Sequence, residues 1–492
     1  MHRPAVVRPL MIDLPHAFSR IAELPNCLWL DSASDHQFDR GRYSFLTADP
    51  VAWCGASMAS PDPWPVLGDW CRSLERCQPL TASGPADEEL PPFYGGIAGL
   101  IAYEAAWWLE PSLRPEPGAT MTRGLEQIPA MAIGLYDWTL ATDHLLGNTW
   151  LLSTGLNELF EVDEKRAVER ADQILGWLDD VKPGTSLHVP AQTFDGHRPP
   201  DLQSNFTDES FASGVAEIVR RISVGDSFQV NLAQTLSHPA TCQPVDFYRR
   251  LREINAAPYG CFFNDGEYQV MSSSPEGFLQ VRGNEVVTRP IKGTVRRTGN
   301  DAEDRRLGES LLQSEKDRAE NIMIVDLMRN DLSRVCTDAS VRVDGLCELE
   351  KYQRVQHLVS TVRGTLRDDA GVAELLAACF PGGSITGAPK VEAMRTIAAL
   401  ERQPRGPYCG SIGYIGLGAT ADFNILIRTV TQRRSSTSNT SASPNSSAAQ
   451  PNACVWEFPV GGGITARSEP VHETEETWVK AASLLEAISA SG

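Results

Sequence analysis

A stretch rich in proline, glycine and polar residues divides this chain of 492 residues near its middle. It runs from position 182 to 205 and reads KPGTSLHVPAQTFDGHRPPDLQSN, between two regions with regular apolar patterns. Such a composition is typical of an exposed connection between two compact units, since few contacts cross it. We therefore predict an amino-terminal lobe over residues 1–190 and a carboxy-terminal domain over residues 205–492.

The carboxy-terminal domain opens with a predicted helix from about Asp208, where FASGVAEIVRRISVG repeats apolar residues at intervals of three and four. The next run, FQVNLAQTL, alternates like a strand. Further on, residues 435–452 have no side chain larger than that of glutamine and can bury almost no apolar surface. We predict a disordered loop there, because loop closure costs little extra entropy as a connection lengthens.

The charge balance argues against an anionic macromolecule as a partner. Lys and Arg number 44 and Asp and Glu number 63, which gives a formal net charge of −19. This charge opposes general binding to nucleic acid or to an anionic membrane surface. The eleven cysteines are scattered without a CxxC pair, so neither a zinc ribbon nor a secreted disulfide framework is indicated.

No segment predicts a membrane span or a secretory signal. The most apolar window, residues 93–109, contains Glu104 and three glycines, and it falls short of the about 20 apolar residues of a spanning helix. The amino terminus lacks the apolar stretch and cleavage site of a signal peptide. We expect a soluble, cytoplasmic protein.

Lys292 lies in the segment RPIKGTVRR, in a chain in which only seven of the 44 basic residues are lysines. A lysine amine can lose its proton and attack carbon, which a guanidinium cannot do. Glu276, in SSSPEGFL, precedes it across a predicted hairpin through Arg282-Gly283-Asn284, and a hairpin can bring an acid and an amine to one pocket. A solvated turn lysine and a surface glutamate remain the alternatives.

Three carboxylates are candidates for a metal site. Glu320 lies inside SEKDRAENIMIVDLMRND, and Glu473 and Glu476 share a face of the last predicted helix because they are three residues apart. Mg²⁺ prefers oxygen ligands and keeps several waters, so these carboxylates and an anionic substrate would suffice. Acidic residues in a first helical turn also stabilise the helix dipole, and that alternative stays open.

Two glycine-rich segments, GGSITGAPK at residues 382–390 and GGGIT at residues 461–465, each precede a predicted helix. Free backbone amides in such turns can hold an anion. The first segment ends in Ala-Pro-Lys rather than Gly-Lys-Ser/Thr, so a carboxylate is favoured over a nucleotide phosphate. Two ordinary capping turns are the alternative. The candidate positions are Thr386, Gly387, Gly461, Gly462 and Gly463.

Nine segments, in this order, resemble the chorismate-utilising enzymes: FQVNLAQ, SPEGFL, PIKGT, KDRAENIMIVDLMRND, HLVSTVRG, GGSITGAPK, GSIGYIG, NILIRT and GGGI. The resemblance spans about residues 205 to 490. A weaker one continues amino-terminally through LDSASDHQFDRGRYSFL and PPFYGGIAGLIAYE. The resemblance as a whole implies an α+β fold. In this fold two sheets form a sandwich, helices lie outside, and the active site lies between the strands.

Two positions distinguish the branches of this family. Where isochorismate and salicylate synthases have a lysine that activates water, this chain has Gln229, so the resemblance implies ammonia as the nucleophile. Where anthranilate synthases read Pro-Ile-Ala-Gly-Thr, this chain has Lys292 as the third residue, which marks the branch that aminates carbon 4 of chorismate. The alternatives are an anthranilate synthase large subunit and, in a different class, a subunit that only binds or regulates.

The resemblance also implies roles for individual residues. Lys292 attacks carbon 2 of chorismate to form a covalent intermediate, Glu276 serves as general acid and base, and His357 lies beside the ring. Glu320, Glu473 and Glu476 match Mg²⁺ ligands. The positions that match groups seating the two carboxylates are Tyr414, Arg428, Lys480 and the amides of Gly461, Gly462 and Gly463.

No segment resembles a glutaminase, since the sequence has no nucleophile-elbow cysteine with a matching His-x-Glu pair. We therefore expect a separate glutamine amidotransferase subunit to supply the ammonia. A last set of residues resembles the tryptophan pocket of the family, which serves feedback inhibition in some members and is structural in others. It comprises Asp31, Ser32, Gly41, Arg42, Tyr43, Ser44, Pro258, Tyr259 and Gly260.

Overall fold

The computed structural model describes residues 3–33, 41–77, 90–115, 128–179, 198–352, 355–434 and 454–489. The loop predicted at residues 435–452 and most of the predicted linker lie outside the described residues. Among the described residues, no helix is long and apolar enough to cross a membrane.

Helices form where short polar side chains cap amphipathic stretches. Thr207 and Ser210 cap one helix reciprocally, each side chain accepting a hydrogen bond from the other's backbone N–H, which confirms the helix predicted from about Asp208. The helices are α1 (Leu14–Ile21), α2 (Trp64–Arg76), α3 (Ala106–Leu109), α4 (Glu164–Leu178), α5 (Asp208–Ser223), α6 (Pro244–Ile254), α7 (Asp301–Gln313), α8 (Glu315–Ser333), α9 (Val372–Cys379), α10 (Lys390–Glu401) and α11 (Pro470–Ser489).

Strands form mainly where apolar and β-branched residues cluster between turns. They are β1 (Val6–Leu10), β2 (Cys27–Asp31), β3 (Tyr43–Thr47), β4 (Ala52–Ser57), β5 (Gly96–Ile101), β6 (Pro129–Tyr136), β7 (Trp138–Asp143), β8 (Asn148–Ser153), β9 (Gln203–Ser204), β10 (Gln229–Pro239), β11 (Tyr259–Asn264), β12 (Gln269–Ser274), β13 (Gly277–Arg282), β14 (Glu285–Thr288), β15 (Ile291–Arg296), β16 (Arg342–Lys351), β17 (Val355–Thr365), β18 (Gly387–Ala388), β19 (Ser411–Gly416), β20 (Thr420–Asn424), β21 (Thr429–Arg434) and β22 (Cys454–Ile464).

The described strands form two sheets. The first has twelve strands in the order β1-β8-β7-β3-β2-β11-β12-β21-β22-β10-β18, with β9 beside β10. The second has ten in the order β15-β17-β14-β13-β20-β19-β5-β6-β4, with β16 beside β17. The α+β class implied by the resemblance is confirmed.

Both sheets contain strands from either side of the boundary predicted from the sequence. β2 pairs with β11, which places Asp31 opposite Gly260, and β5 pairs with β19. Residues 1–190 and 205–492 therefore share their sheets. Their division into two domains stays a prediction.

An apolar layer joins the two sheets. It includes Phe45 and Phe263 from the first sheet and Leu100 and Phe278 from the second, each at most 5% exposed. A second apolar cluster joins the first sheet to α1, α4, α6 and α11. Burying a side chain of this size contributes roughly 1.5–3 kcal/mol, so the sandwich holds its outer helices through many such contacts.

Candidate active site

Lys292 lies in β15, opposite Leu358 of β17, and the strand pairing shifts at Gly293. Gly293 has a φ of +71°, a left-handed conformation that glycine adopts without strain. The Lys292 amine donates a hydrogen bond to the Ser384 carbonyl at 3.3 Å. The side chain therefore reaches from the second sheet to the glycine-rich segment before α10.

Glu276 lies between β12 and β13 and is 6% exposed. Burial raises the pKa of its carboxyl, against the lowering effects of the Ser384 hydroxyl and the Lys292 charge. The buried acid thus lies within electrostatic reach of the half-buried amine. The predicted hairpin is confirmed in β13 and β14, although Lys292 lies on the next strand rather than on the hairpin itself.

His357 lies on β17 opposite Thr294 of β15, and its ring Nδ1 is 2.9 Å from the Thr294 Oγ1. The Tyr352 ring meets the imidazole edge to face, with centroids 5.3 Å apart. Because Thr294 is two residues from Lys292, these contacts place His357 beside the strand that carries the amine.

Gln229 approaches the amine from the first sheet. The residue is fully buried, and neither Oε1 nor Nε2 has a hydrogen-bond partner within the described residues. A Cβ on Gly463 would stand 2.6 Å from the Gln229 Nε2 and 3.6 Å from the Lys292 Nζ, so both side chains converge on this glycine. A buried polar group without a partner costs about 1–3 kcal/mol, and a polar ligand here would satisfy the amide.

Gly461, Gly462 and Gly463 lie in β22 and pair with residues 231–233 of β10. The prediction that they form a free turn before a helix is wrong. A Cβ on Gly461 would stand 2.2 Å from the Leu232 carbonyl oxygen, so close approach of the neighbouring strand requires glycine here.

The other glycine-rich segment precedes a helix, as predicted, but it forms a 3-10 helix over Gly383–Ile385 and then a short strand instead of a simple turn. Gly387–Ala388 forms β18 along the start of β10, and a Cβ on Gly387 would stand 2.1 Å from the Gln229 carbonyl oxygen. The buried Thr386 hydroxyl donates to the Gly382 carbonyl at 2.9 Å. These contacts fix the segment that presents the Ser384 carbonyl to Lys292.

The three predicted metal ligands all interact with the charge of Lys316, and we call them the acidic cluster: Glu320 of α8 and Glu473 and Glu476 of α11. Lys316 Nζ lies 3.5 Å from the Glu473 Oε1, and its charge interacts with all three carboxylates. A Cβ on Gly462 would stand 3.7 Å from the Glu473 Oε2 and 3.9 Å from the Glu476 Oε1. The structure therefore places all three carboxylates within electrostatic reach of one ammonium.

Within the parts of the chain that the structure describes, no three His, Cys, Asp or Glu side chains are close enough to form a metal site. The acidic cluster nevertheless offers the oxygen donors that Mg²⁺ prefers. Burial raises the pKa of Glu320, against the effects of Lys292 and Lys316, and its Oε1 is buried without a hydrogen-bond partner among the described residues. This oxygen can accept a cation.

Arg428 is a buried cation whose guanidinium pairs with no carboxylate of the described residues. Burial lowers the pKa of the guanidinium, and the residue has a φ of +50°. Lys480, by contrast, pairs with Glu476 at 2.8 Å and donates to the Gly461 carbonyl at 3.0 Å. Of the two predicted carboxylate-binding cations, Arg428 is the one left to hold an anion.

A cavity of about 300 Å³ lies between the sheets, and we call it the amino-terminal cavity. Ser44 lies behind its wall, where its Oγ accepts a hydrogen bond from the Ser32 N–H at 2.9 Å. The other residues of the predicted tryptophan pocket line it: Asp31, Ser32, Gly41, Arg42, Tyr43, Pro258, Tyr259 and Gly260.

Tyr414 also lines the amino-terminal cavity, whose lining includes neither Lys292 nor Glu276. The Tyr414 ring packs against the rings of Phe93 and Phe45, whose centroids lie 4.8 and 5.3 Å from its own. The structure therefore places Tyr414 in the lining of the amino-terminal cavity, and its role in seating a substrate carboxylate stays a prediction.

Two contributors to the site were not singled out from the sequence. Ser384 contacts Lys292 through its carbonyl, and a backbone group leaves no signal in side-chain identity. Lys316 had a signal, because it precedes Glu320 by four residues on one helix and therefore shares its face.

The fold and site thus combine a half-buried amine, a buried acid and a cation that can hold an anion, and the comparisons identify the class of protein. Residues 26–486 match the family described as chorismate binding enzyme. The chain belongs to this family.

Relatives with two different names match most of the chain. Aminodeoxychorismate synthase component 1 of Escherichia coli (strain K12) is 34% identical over 480 residues, which cover 94% of this chain and 93% of that protein. Anthranilate synthase component 1 of Thermus thermophilus is 35% identical over 403 residues, which cover 81% and 79%.

Solved structures share the fold. Anthranilate synthase component I from Streptococcus pneumoniae TIGR4 is 28% identical with a TM-score of 0.72, covering 90% of this chain and 92% of that one. The menaquinone-specific isochorismate synthase of Escherichia coli has a TM-score of 0.67 at 18% identity, covering 99% and 95%.

Proposed function

We propose that this chain converts chorismate and ammonia into 4-amino-4-deoxychorismate, on the route to p-aminobenzoate, through a covalent intermediate on Lys292. The observation that carries the proposal is the Lys292 amine held 3.3 Å from the Ser384 carbonyl beside the buried Glu276. A carbonyl only accepts hydrogen bonds, so it can orient the amine without competing for its lone pair.

In the first step the neutral Lys292 amine attacks carbon 2 of chorismate. The two ring double bonds shift toward carbon 4 and its hydroxyl departs with a proton as water, so one C–N bond forms and one C–O bond breaks. Ammonia then attacks carbon 4, the double bonds shift back, and the Lys292 amine is expelled from carbon 2. The net change replaces the hydroxyl with an amino group and releases water.

Glu276 is the proposed proton donor to the departing hydroxyl. Hydroxide is a poor leaving group, and burial favours the protonated carboxyl of Glu276 that can convert it to water. The resulting carboxylate can then take a proton from the attacking ammonia in the second step. Positioned proton transfer of this kind contributes about 10²–10⁴-fold to a rate.

Two seats would hold the carboxylates of the substrate. Arg428 offers a buried guanidinium, whose planar fork suits a carboxylate. The acidic cluster would hold Mg²⁺, and the bound ion would supply positive charge that fixes a substrate oxygen. His357 and Gln229 are the proposed polar neighbours of the ring and of the incoming ammonia.

Overall similarity does not choose between the two reactions named in the relatives, which match at 34% and 35% identity. Lys292 favours amination at carbon 4, because an amine at this position can carry the substrate covalently. Anthranilate synthesis, which needs no enzyme amine, is the second candidate.

We further propose that a separate glutamine amidotransferase subunit supplies the ammonia. Names ending in component 1 are shared by both groups of relatives. The purified chain should form product from ammonium but not from glutamine. Product formed from glutamine by this chain alone would contradict the proposal.

The amino-terminal cavity is proposed to bind tryptophan, since its aromatic and polar lining suits an aromatic amino acid. Isothermal titration should show saturable binding of one tryptophan per chain. A titration without heat, from a chain that carries no copurified tryptophan, would overturn the proposal.

The deciding experiment incubates the purified chain with chorismate, Mg²⁺ and ammonium and identifies the product by chromatography and mass. We expect a product that a lyase converts to p-aminobenzoate. Fluorescent anthranilate would overturn the proposed reaction in favour of the second candidate.

A further inference from the structure

Arg405, in the turn between α10 and β19, has a buried guanidinium with every nitrogen engaged. Its side chain is 3% exposed and pairs with Glu401 through Nε at 2.9 Å and Nη2 at 2.6 Å. Nη1 donates to the Ile385 carbonyl at 3.0 Å, and Nη2 also donates to the Asn231 carbonyl at 3.1 Å. One side chain thus joins three separate segments.

Two of these segments frame the Lys292 amine. Ile385 directly follows Ser384, whose carbonyl accepts the hydrogen bond from Lys292. Asn231 lies on β10 two residues after Gln229. Arg405 therefore fixes the segment beneath the amine relative to the strand that carries the Gln229 amide.

Glu401 and Arg405 also complete an edge of the first sheet. β18 covers only the first two residues of β10. Beyond its end, Arg405 binds the Asn231 carbonyl, and the Glu401 Oε1 accepts a hydrogen bond from the Ala233 N–H at 2.9 Å. The ion pair thus continues the backbone hydrogen bonding where the neighbouring strand stops.

The amino-terminal part of the chain holds the same turn from the opposite side. The Glu104 carboxylate accepts hydrogen bonds from the N–H of Arg405 at 2.7 Å and of Gly406 at 3.0 Å. The Tyr103 ring centroid lies 4.8 Å from the Arg405 guanidinium carbon. Both backbone and side chain of Arg405 are therefore fixed.

We propose that Arg405 is a positioning residue for the amination, which sets where the Ser384 carbonyl and the Gln229 amide stand around the Lys292 amine. This role rests on the proposed function of Lys292 as the nucleophile. Arg405 acts through Ile385 and Asn231, and its planar fork lets one cation serve a carboxylate and two carbonyls at once. An ammonium cannot reproduce that geometry.

The test is Arg405→Lys in the full-length chain, assayed with chorismate, Mg²⁺ and ammonium. Misplacement by about 1 Å can cost about a hundredfold in rate, so we expect kcat to fall about a hundredfold with KM within about threefold. The trapped Lys292 adduct, measured by mass after acid quench, should form more slowly to the same degree. The matched control is Arg170→Lys, since Arg170 pairs with buried Asp137 at 3.2 Å and contacts neither segment around Lys292.

The positioning role is overturned if Arg405→Lys loses no more kcat than Arg170→Lys at an equal loss of thermal midpoint, or if only KM rises. If Arg405→Lys does not fold, Glu401→Gln replaces it, because the amide keeps an acceptor for Ala233 while removing the charge. Unchanged kcat in Glu401→Gln would then reject the role. Failure of the proposed nucleophile shows separately, as a wild-type chain without adduct.

Discussion

The Lys292 site and the amino-terminal cavity use similar residues in opposite ways. In the cavity, Asp31 pairs with Arg252 at 2.5 Å and Arg42 with Asp143 at 2.8 Å, so these charges are satisfied within the protein. At the Lys292 site, both polar atoms of the Gln229 amide lack hydrogen-bond partners in the described part of the chain. A buried polar group without a protein partner is available to a ligand, so the Gln229 amide can bind one, whereas Asp31 and Arg42 are already paired.

The strongest test of this contrast is Lys292→Ala. We expect kcat to fall about a thousandfold or more, because the covalent route is lost, while binding of tryptophan to the amino-terminal cavity stays unchanged. Quenched reactions analysed by intact mass should show no adduct. Lys165→Ala is the control, since the Lys165 side chain is 85% exposed. An adduct that persists without Lys292 would place the nucleophile elsewhere.

Glu276→Gln should lower kcat by about 10²–10⁴-fold and change its pH profile. Burial raises the pKa of Glu276 above its ordinary 4.5, so the protonated acid is present below the raised pKa and is lost as pH rises through it. The wild-type kcat should therefore fall as the pH rises above that pKa. The pH profile of the variant should lack this alkaline fall.

The matched control is Asp422→Asn in the amino-terminal cavity, where burial raises the pKa of Asp422 to about 7. This substitution should leave the alkaline fall in kcat unchanged. If the alkaline fall in kcat disappeared in Asp422→Asn and persisted in Glu276→Gln, the roles assigned to the Lys292 site and the amino-terminal cavity would be reversed.

Lys316→Met should tighten Mg²⁺ binding several-fold, because the Lys316 ammonium competes with a metal ion for Glu473. The effect is modest since the lysine side chain is 44% exposed and its pairing is screened by water. Titration calorimetry with Mg²⁺ in the absence of chorismate measures it, with Lys165→Met as control. Weaker binding in the variant would show that Lys316 supports the metal instead.

The smallest effect is expected for Tyr414→Phe. Because Tyr414 lines the amino-terminal cavity, the KM for chorismate should stay within about twofold of the wild type. Steady-state kinetics in ammonium measures this value. A tenfold rise in this KM would show that Tyr414 contacts the substrate. It would then weaken the contrast between the Lys292 site and the amino-terminal cavity.

The parts of the fold and site that could be predicted from the sequence depend on local chemistry. The cap at Thr207 and the turn at Gly283 fix the start of α5 and the β13–β14 hairpin through nearby residues. Glu276 and Lys292 could be paired because their chemical types suit an acid and a nucleophile. Residue type and helical spacing pointed to the acidic cluster, and the motifs then added His357.

What could not be predicted depends on segments that are distant in the chain. The run of glycines in β22 looks like a turn until Leu232 of β10 lies against it. Tyr414 follows a motif of the catalytic domain, yet its ring packs with Phe45 from the other end of the sequence. Arg405 had one local signal, since Glu401 precedes it by four residues, but its other partners, the carbonyls of Ile385 and Asn231, are backbone groups of distant segments.

The sharing of strands between the two parts of the chain has a consequence during synthesis. β2 can pair with β11 only after β11 has been synthesised, about 230 residues later. Residues 260–264 of β11 then pair with residues 27–31 of β2. At about 5–20 residues per second, that delay is roughly 10–50 seconds. Throughout this time β2 exposes an open edge to the cell, so we expect ribosome-bound chains that stop before residue 259 to depend on chaperones.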